Sequence, residues 1–274
     1  MKPIQSLLVY VEDNTSSDAR LEMACDLADR FDARVIGVSA SEPQPPMYDP
    51  LGGPAEVLVA PREAAEDDVR RARARFDAIV AARGVRSEWR GQVGAPATFV
   101  VREARCADLV ILGPKTASAP YRTPDPADIV MAIGRPVLVT PERYEGSCLD
   151  GLALVAWKDT REAQRAVATA LPLLREAVGV QVLEISSSDA AAAAASRVED
   201  VAHYLARHDI KAEARVIVDE ERMRSDVIRR EAADTQANLI VIGGYGHSRL
   251  REWALGGVTR ELFSDCAICL LVSH

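Results

Sequence analysis

The residues best suited to chemistry in this 274-residue chain lie near its end, where Gly243, Gly246 and Gly256 recur at the spacing G-x2-G-x9-G. They follow an apolar run, 237–243, that reads as a buried strand, and they precede a helical pattern beginning near Val258. Glycine lets backbone approach a ligand closely because no Cβ intervenes. Gly256 and Gly257 sit where the first amides of that helix, those of Val258 and Thr259, would face an anion such as phosphate. On the residues alone, a phosphate site and a long turn with tight helix–strand packing explain these glycines almost equally well.

Other reactive side chains form no constellation. His247 faces either a phosphate or solvent, and Arg249 and Arg251 either clamp phosphate oxygens or lie on the surface. Ser248 lacks a nucleophile-elbow context, His203 and His208 fall on a polar helix, and no GxxxxGK[ST] loop occurs. Cys266 and Cys269 have CxxC spacing, but they lead into an apolar strand instead of opening a helix, where a thiol pKa would be lowered. With no second CxxC and no neighbouring His, zinc is as poorly supported as redox chemistry. Asp13 and Asp18 beside Glu12 are explained by turn and N-cap roles. No catalytic residue and no metal site is therefore assigned.

The elements that would position the glycine loop recur in two halves. The apolar runs 6–11 and 151–157 are each followed by a polar turn and an amphipathic helix. The first helix is signalled by Ser16, Ser17 and Asp18, the second by Thr160, with Pro172 expected to kink it or loosen its last turns. Second strands are expected at 33–38 and 180–185, weaker third strands at 87–92 and 212–218, fourth strands at 106–113 and 237–243, and fifth strands at 136–139 and 269–272. Strands apolar throughout, with helices between them, imply a parallel sheet covered on both faces. Right-handed crossovers make each half a doubly wound α/β domain, which binds ligands beyond the carboxyl ends of its strands where strand order reverses. The polar, turn-rich stretch 140–147 divides the chain into domains 1–145 and 146–274.

The spacing Gly243-x2-Gly246-x9-Gly256 resembles the ATP-binding signature of the universal stress protein family, G-x2-G-x9-G-[S/T]. Residues 152–160, 239–243 and 267–274 are similar to that family's framework. The resemblance implies two five-stranded parallel-sheet domains of Rossmann-like, adenine nucleotide alpha hydrolase-like fold. It also implies ATP or AMP binding in the second half, with magnesium left open and any hydrolysis slow. A stress-related regulatory role follows from it, with unknown protein partners and an internal pseudo-dimer or homodimer. The nucleotide-binding residues it points to are Gly243, Gly246, His247, Gly256, Gly257, Val258, Thr259, Lys158 and Ile185.

The sequence departs from the pattern in three places. Gly257 stands where the signature has a hydroxyl residue. Lys158 and Glu12 stand where nucleotide-binding members place an Asp at the end of the first strand; Lys158 either pairs with a phosphate or obstructs the pocket. The first half has no GxxG, and Pro114 after Gly113 removes an amide donor, so that half reads as a structural or regulatory partner without a nucleotide site. The competing reading is a nucleotide-independent interaction module.

Composition narrows the classes further. A net charge of −8 opposes nonspecific binding to nucleic acid or anionic lipid. The Arg70, Arg71, Arg73 and Arg75 cluster alternates with other residues behind acidic ones and reads as one solvated helix face. No apolar stretch reaches the ~18 residues of a membrane span, and no cleavable leader is recognisable, so a cytoplasmic location is expected.

Overall fold

The computed structural model describes residues 4–43, 60–115, 121–144, 146–244, 257–264 and 267–274. Gly246, His247 and Gly256 lie outside the described residues. The chain divides into two compact units, one ending at Ile129 and one beginning at Val130.

The first unit is built on β1 (Ser6–Tyr10), β2 (Arg34–Ser41), β3 (Ser87–Val93) and β4 (Leu109–Leu112). β1 pairs in parallel with β2 and β4, and β2 with β3, giving the order β3-β2-β1-β4. The helices α1 (Thr15–Phe31), α2 (Ala60–Arg83) and α3 (Pro96–Glu103) connect them. β1 and β4 are apolar on both faces because both are buried, as Leu7, Leu8, Ile111 and Leu112 show. β3, at the edge, is half-exposed along most of its length, which explains its mixed sequence.

Two local expectations need correction. The cap of α1 is Asn14, whose side chain accepts the Ser17 amide at 2.7 Å; Ser16, Ser17 and Asp18 lie inside the first turn. The arginines of α2 divide: Arg70 and Arg73 are exposed and pair along the helix with Asp67 and Asp77, whereas Arg71 and Arg75 also reach off it. Arg71 and Arg75 reach Asp13 at 2.6 and 2.8 Å, and Arg75 also reaches Asp18 at 2.5 Å. They tie α2 to the start of α1, and these hydrogen bonds hold the Asp13 carboxyl below its ordinary range.

The second unit contains β5 (Val137–Val139), β6 (Leu152–Ala156), β7 (Gly179–Ser186), β8 (Ala212–Val218), β9 (Ala237–Gly243) and β10 (Cys269–Ser273). Their pairings give β5-β10-β9-β6-β7-β8, all parallel except β5 against β10. Cys269 is a buried residue of β10. The connecting helices are α5 (Arg161–Glu176), α6 (Ala191–Ala206) and α7 (Arg224–Asp234), with α8 (Gly257–Ser264) before β10. A further helix, α4 (Pro126–Ala132), spans the division between the units. Thr160 caps α5, which continues four residues past Pro172 and closes with the Ala177 amide on the Leu173 carbonyl. From β6 the chain winds to β7 on one side and later to β9 on the other, so strand order reverses between β6 and β9.

Asn14→Ala should lower the unfolding free energy by about 1 kcal/mol. The readout is a reduced urea midpoint with an unchanged m-value; a midpoint equal to the parent's would contradict the capping role.

Candidate functional site

A cavity of about 390 Å³ lies at that reversal, beyond the carboxyl ends of β6, β7 and β9. β6 supplies Ala156 at its last position, followed by Trp157 and Lys158, and Thr160 caps α5. The turn is held by the Trp157 amide on the Leu183 carbonyl at 2.7 Å and the Thr160 amide on the Lys158 carbonyl, also at 2.7 Å. β7 contributes Glu184, Ile185 and Ser186, β9 contributes Ile242 and Gly243, and α8 contributes Gly257, Val258 and the buried Thr259. The loop and helix pattern read from sequence thus reaches the cavity at both of its described ends.

The two glycines there have different duties. A Cβ on Gly243 would lie 2.4 Å from the amide nitrogen of Ala163, because the amino end of α5 packs directly on the end of β9. A Cβ on Gly257 would meet no described atom closer than a Glu261 carboxylate oxygen at 3.9 Å. The first glycine is sterically required, whereas among the described residues the second leaves room for a side chain. α8 is itself anchored by Glu261, which accepts a hydrogen bond from the fully buried Ser225 at the start of α7.

The lining is cationic. Lys158, Arg197 and Arg224 face one carboxylate, Glu184, among the described residues. Glu184 is buried and engaged by Arg197, whose Nε lies 3.1 and 3.2 Å from its two oxygens, and this pairing raises the guanidinium pKa. Arg224 donates to the carbonyl of Ile185 at the mouth. The indole N–H of Trp157 is shielded from solvent and has no partner among the described residues. Excess positive charge beside a helix amino terminus favours an anionic ligand, while the apolar walls of Ala156, Leu183, Ile185, Ile228 and Ile242 suit an uncharged ring or chain.

The sequence matches the Universal stress protein family twice, over residues 3–123 and 153–274. The chain belongs to that family. No curated protein matches it significantly. Among solved structures it is similar to a universal stress protein from Archaeoglobus fulgidus DSM 4304, at 13% identity and a TM-score of 0.74 over 98% of this chain and 97% of that one. A putative universal stress protein from Pseudomonas aeruginosa UCBPP-PA14 gives 16% identity and a TM-score of 0.64 over 98% and 93%. At these identities the likeness is one of fold. A universal stress protein solved in complex with cAMP shares 25% identity over 51% of this chain and 98% of its own, at a TM-score of 0.33.

Of the residues singled out from sequence, the cavity brings together Lys158, Ile185, Gly243, Gly257, Val258 and Thr259. Gly246, His247 and Gly256 lie outside the described residues. Sequence reasoning missed Trp157, Glu184, Arg197 and Arg224. The strand-end rule could have found Trp157 and Glu184, since they end or follow predicted strands. Nothing local marks Arg197 or Arg224, which lie on helices and enter the site through the packing.

Gly243→Ala should cost about 1–3 kcal/mol or more, because the clash is with backbone, while Gly257→Ala should stay within about 0.5 kcal/mol of the parent. Chemical denaturation of both variants checks the contrast, and equal effects would contradict it.

Proposed function

We propose that the chain is a tandem universal stress protein whose second domain, 146–274, binds ATP or AMP and whose first, 1–145, takes no nucleotide. Its role would be that of a cytoplasmic stress-response regulator, in which ligand binding alters contacts with protein partners. The observation that carries this reading is the cavity at the strand-order reversal, with the start of α8 at one side and Lys158, Arg197 and Arg224 around it. Helix amides and cations together recognise phosphate. The apolar strand ends give a base or ribose a dry surface.

In this reading Lys158 serves as a phosphate or ribose contact where other members place an Asp. Gly257 withholds one hydroxyl. A hydrogen bond to a charged group contributes about 1.5–3 kcal/mol, so its loss weakens binding by about one to two decades. A second reading, a nucleotide-independent interaction module, is favoured by that same Gly257. The two separate on direct measurement.

Protein purified gently, denatured and assayed for released nucleotide should yield close to one ATP or AMP per chain. Apo protein should rebind ATP, and Gly246→Arg should abolish binding while Arg105→Ala, an exposed change in the first unit, leaves it intact. No release and no binding up to millimolar ATP would leave the interaction module as the better account. Gly257→Ser, for which there is space beside Glu261, should tighten ATP binding about tenfold or more by calorimetry; unchanged or weaker binding would place the phosphate elsewhere.

A further inference from the structure

The first unit carries the same strand frame with different contents. β1 and β6 are both five residues long, β2 and β7 both eight, and each pair is aligned from its first residue. Tyr10 therefore corresponds to Ala156, Glu12 to Lys158, and Ala40 to Ile185. In the second unit Ala156 and Ile185 line the cavity. In the first, the Tyr10 side chain stands over the corresponding strand end, and only 1% of the residue is exposed.

The hydroxyl of Tyr10, which has one proton to donate, lies 2.7 Å from the carbonyl oxygen of Ala40 and 2.5 Å from that of Arg122. Burial and the Glu12 carboxylate push its pKa far above the ordinary phenol value, so it remains a donor. Behind it lies Arg20, 2% exposed. Its Nε donates to the Tyr10 carbonyl at 2.9 Å and its Nη2 to Glu12 at 2.8 Å. Its Nη1 would lie 2.0 Å from any Cβ on Gly113, the residue that follows β4. The second oxygen of Glu12 accepts the Thr123 hydroxyl at 2.6 Å. The same segment is held by Arg122 on Asp68 at 2.7 Å and by the Glu42 amide on the Tyr121 carbonyl at 3.0 Å.

We propose that the crevice of the first repeat is permanently occupied by the protein's own Tyr10 and Arg20 side chains, which clamp segment 121–125 over the strand ends and leave that repeat unresponsive to ligand. A phenol ring fills the space at the strand ends, its hydroxyl satisfies the strand carbonyl, and the buried Arg20, paired with the half-buried Glu12, closes the crevice from beneath. The clamp is complete without any added molecule, and it stands whatever the second repeat binds.

Hydrogen exchange on the full chain without ligand tests it. In Tyr10→Phe and in Glu12→Gln, amides of 121–129 should exchange about tenfold faster than in the parent, with β6, β9 and β10 unchanged. Exchange of 121–129 at the parent rate in both variants would overturn the proposal. In Tyr10→Ala, millimolar phenol should restore much of the lost thermal stability and leave the parent's unaltered, as expected for a preformed space. A folded Tyr10→Ala that phenol does not stabilise would also overturn it; should that variant not fold, the exchange data decide.

Discussion

A missing Cβ governs the architecture of the second repeat. The end of β9 and the amino end of α5 approach so closely that any side chain at Gly243 would overlap the backbone of Glu162 and Ala163. That contact sets where β9 stops relative to β6, and hence where the chain must leave the sheet. The Trp157–Thr160 turn, the carboxyl end of β7 and the first turn of α8 all meet at the space so defined. Protein interiors are close-packed, so a displacement of one wall of the cavity is transmitted through the packing to the others.

The first repeat meets the same constraint differently. Gly113 faces not helix backbone but the guanidinium of Arg20. A buried charge is tolerated only when paired and hydrogen-bonded, and Arg20 is both, through Glu12 and the Tyr10 carbonyl. Replacing one member alone would strand the other in a dry environment. The network therefore behaves as a unit, which is why one frame serves a cationic cavity in one repeat and a sealed crevice in the other.

Much of this frame was legible in sequence. Buried parallel strands announce themselves as unbroken apolar runs, and 237–243 was located to the residue as β9. The edge strands β3 and β8 were fainter because half-exposed faces admit Arg, Glu and Gln. Caps were legible where the residue stands directly before the periodic pattern, as with Thr160, and misread where several polar residues compete, as with Asn14 against Ser16 and Ser17. Charge was the least legible property. Arg71 and Arg75 look solvated along their own helix yet pair with Asp13 and Asp18 more than fifty positions away. Arg197 and Arg224 reach the cavity by the same kind of tertiary placement. The glycine signature is legible because its spacing is a property of the local chain; the charges around the cavity are a property of the fold.

Tryptophan reports most directly on where a ligand enters. Trp157 lines the cavity with its indole N–H shielded and unpartnered among the described residues, whereas Trp89 packs against Phe76 in the first unit. Indole N–H resonances, assigned with Trp157→Phe and Trp89→Phe, can be followed by NMR as ATP is titrated into the apo chain. Binding confined to the second repeat predicts a saturable shift of the Trp157 resonance with that of Trp89 unmoved. A static Trp157 resonance up to millimolar ATP, or a shift of Trp89 in its place, would contradict a nucleotide site at the end of β6.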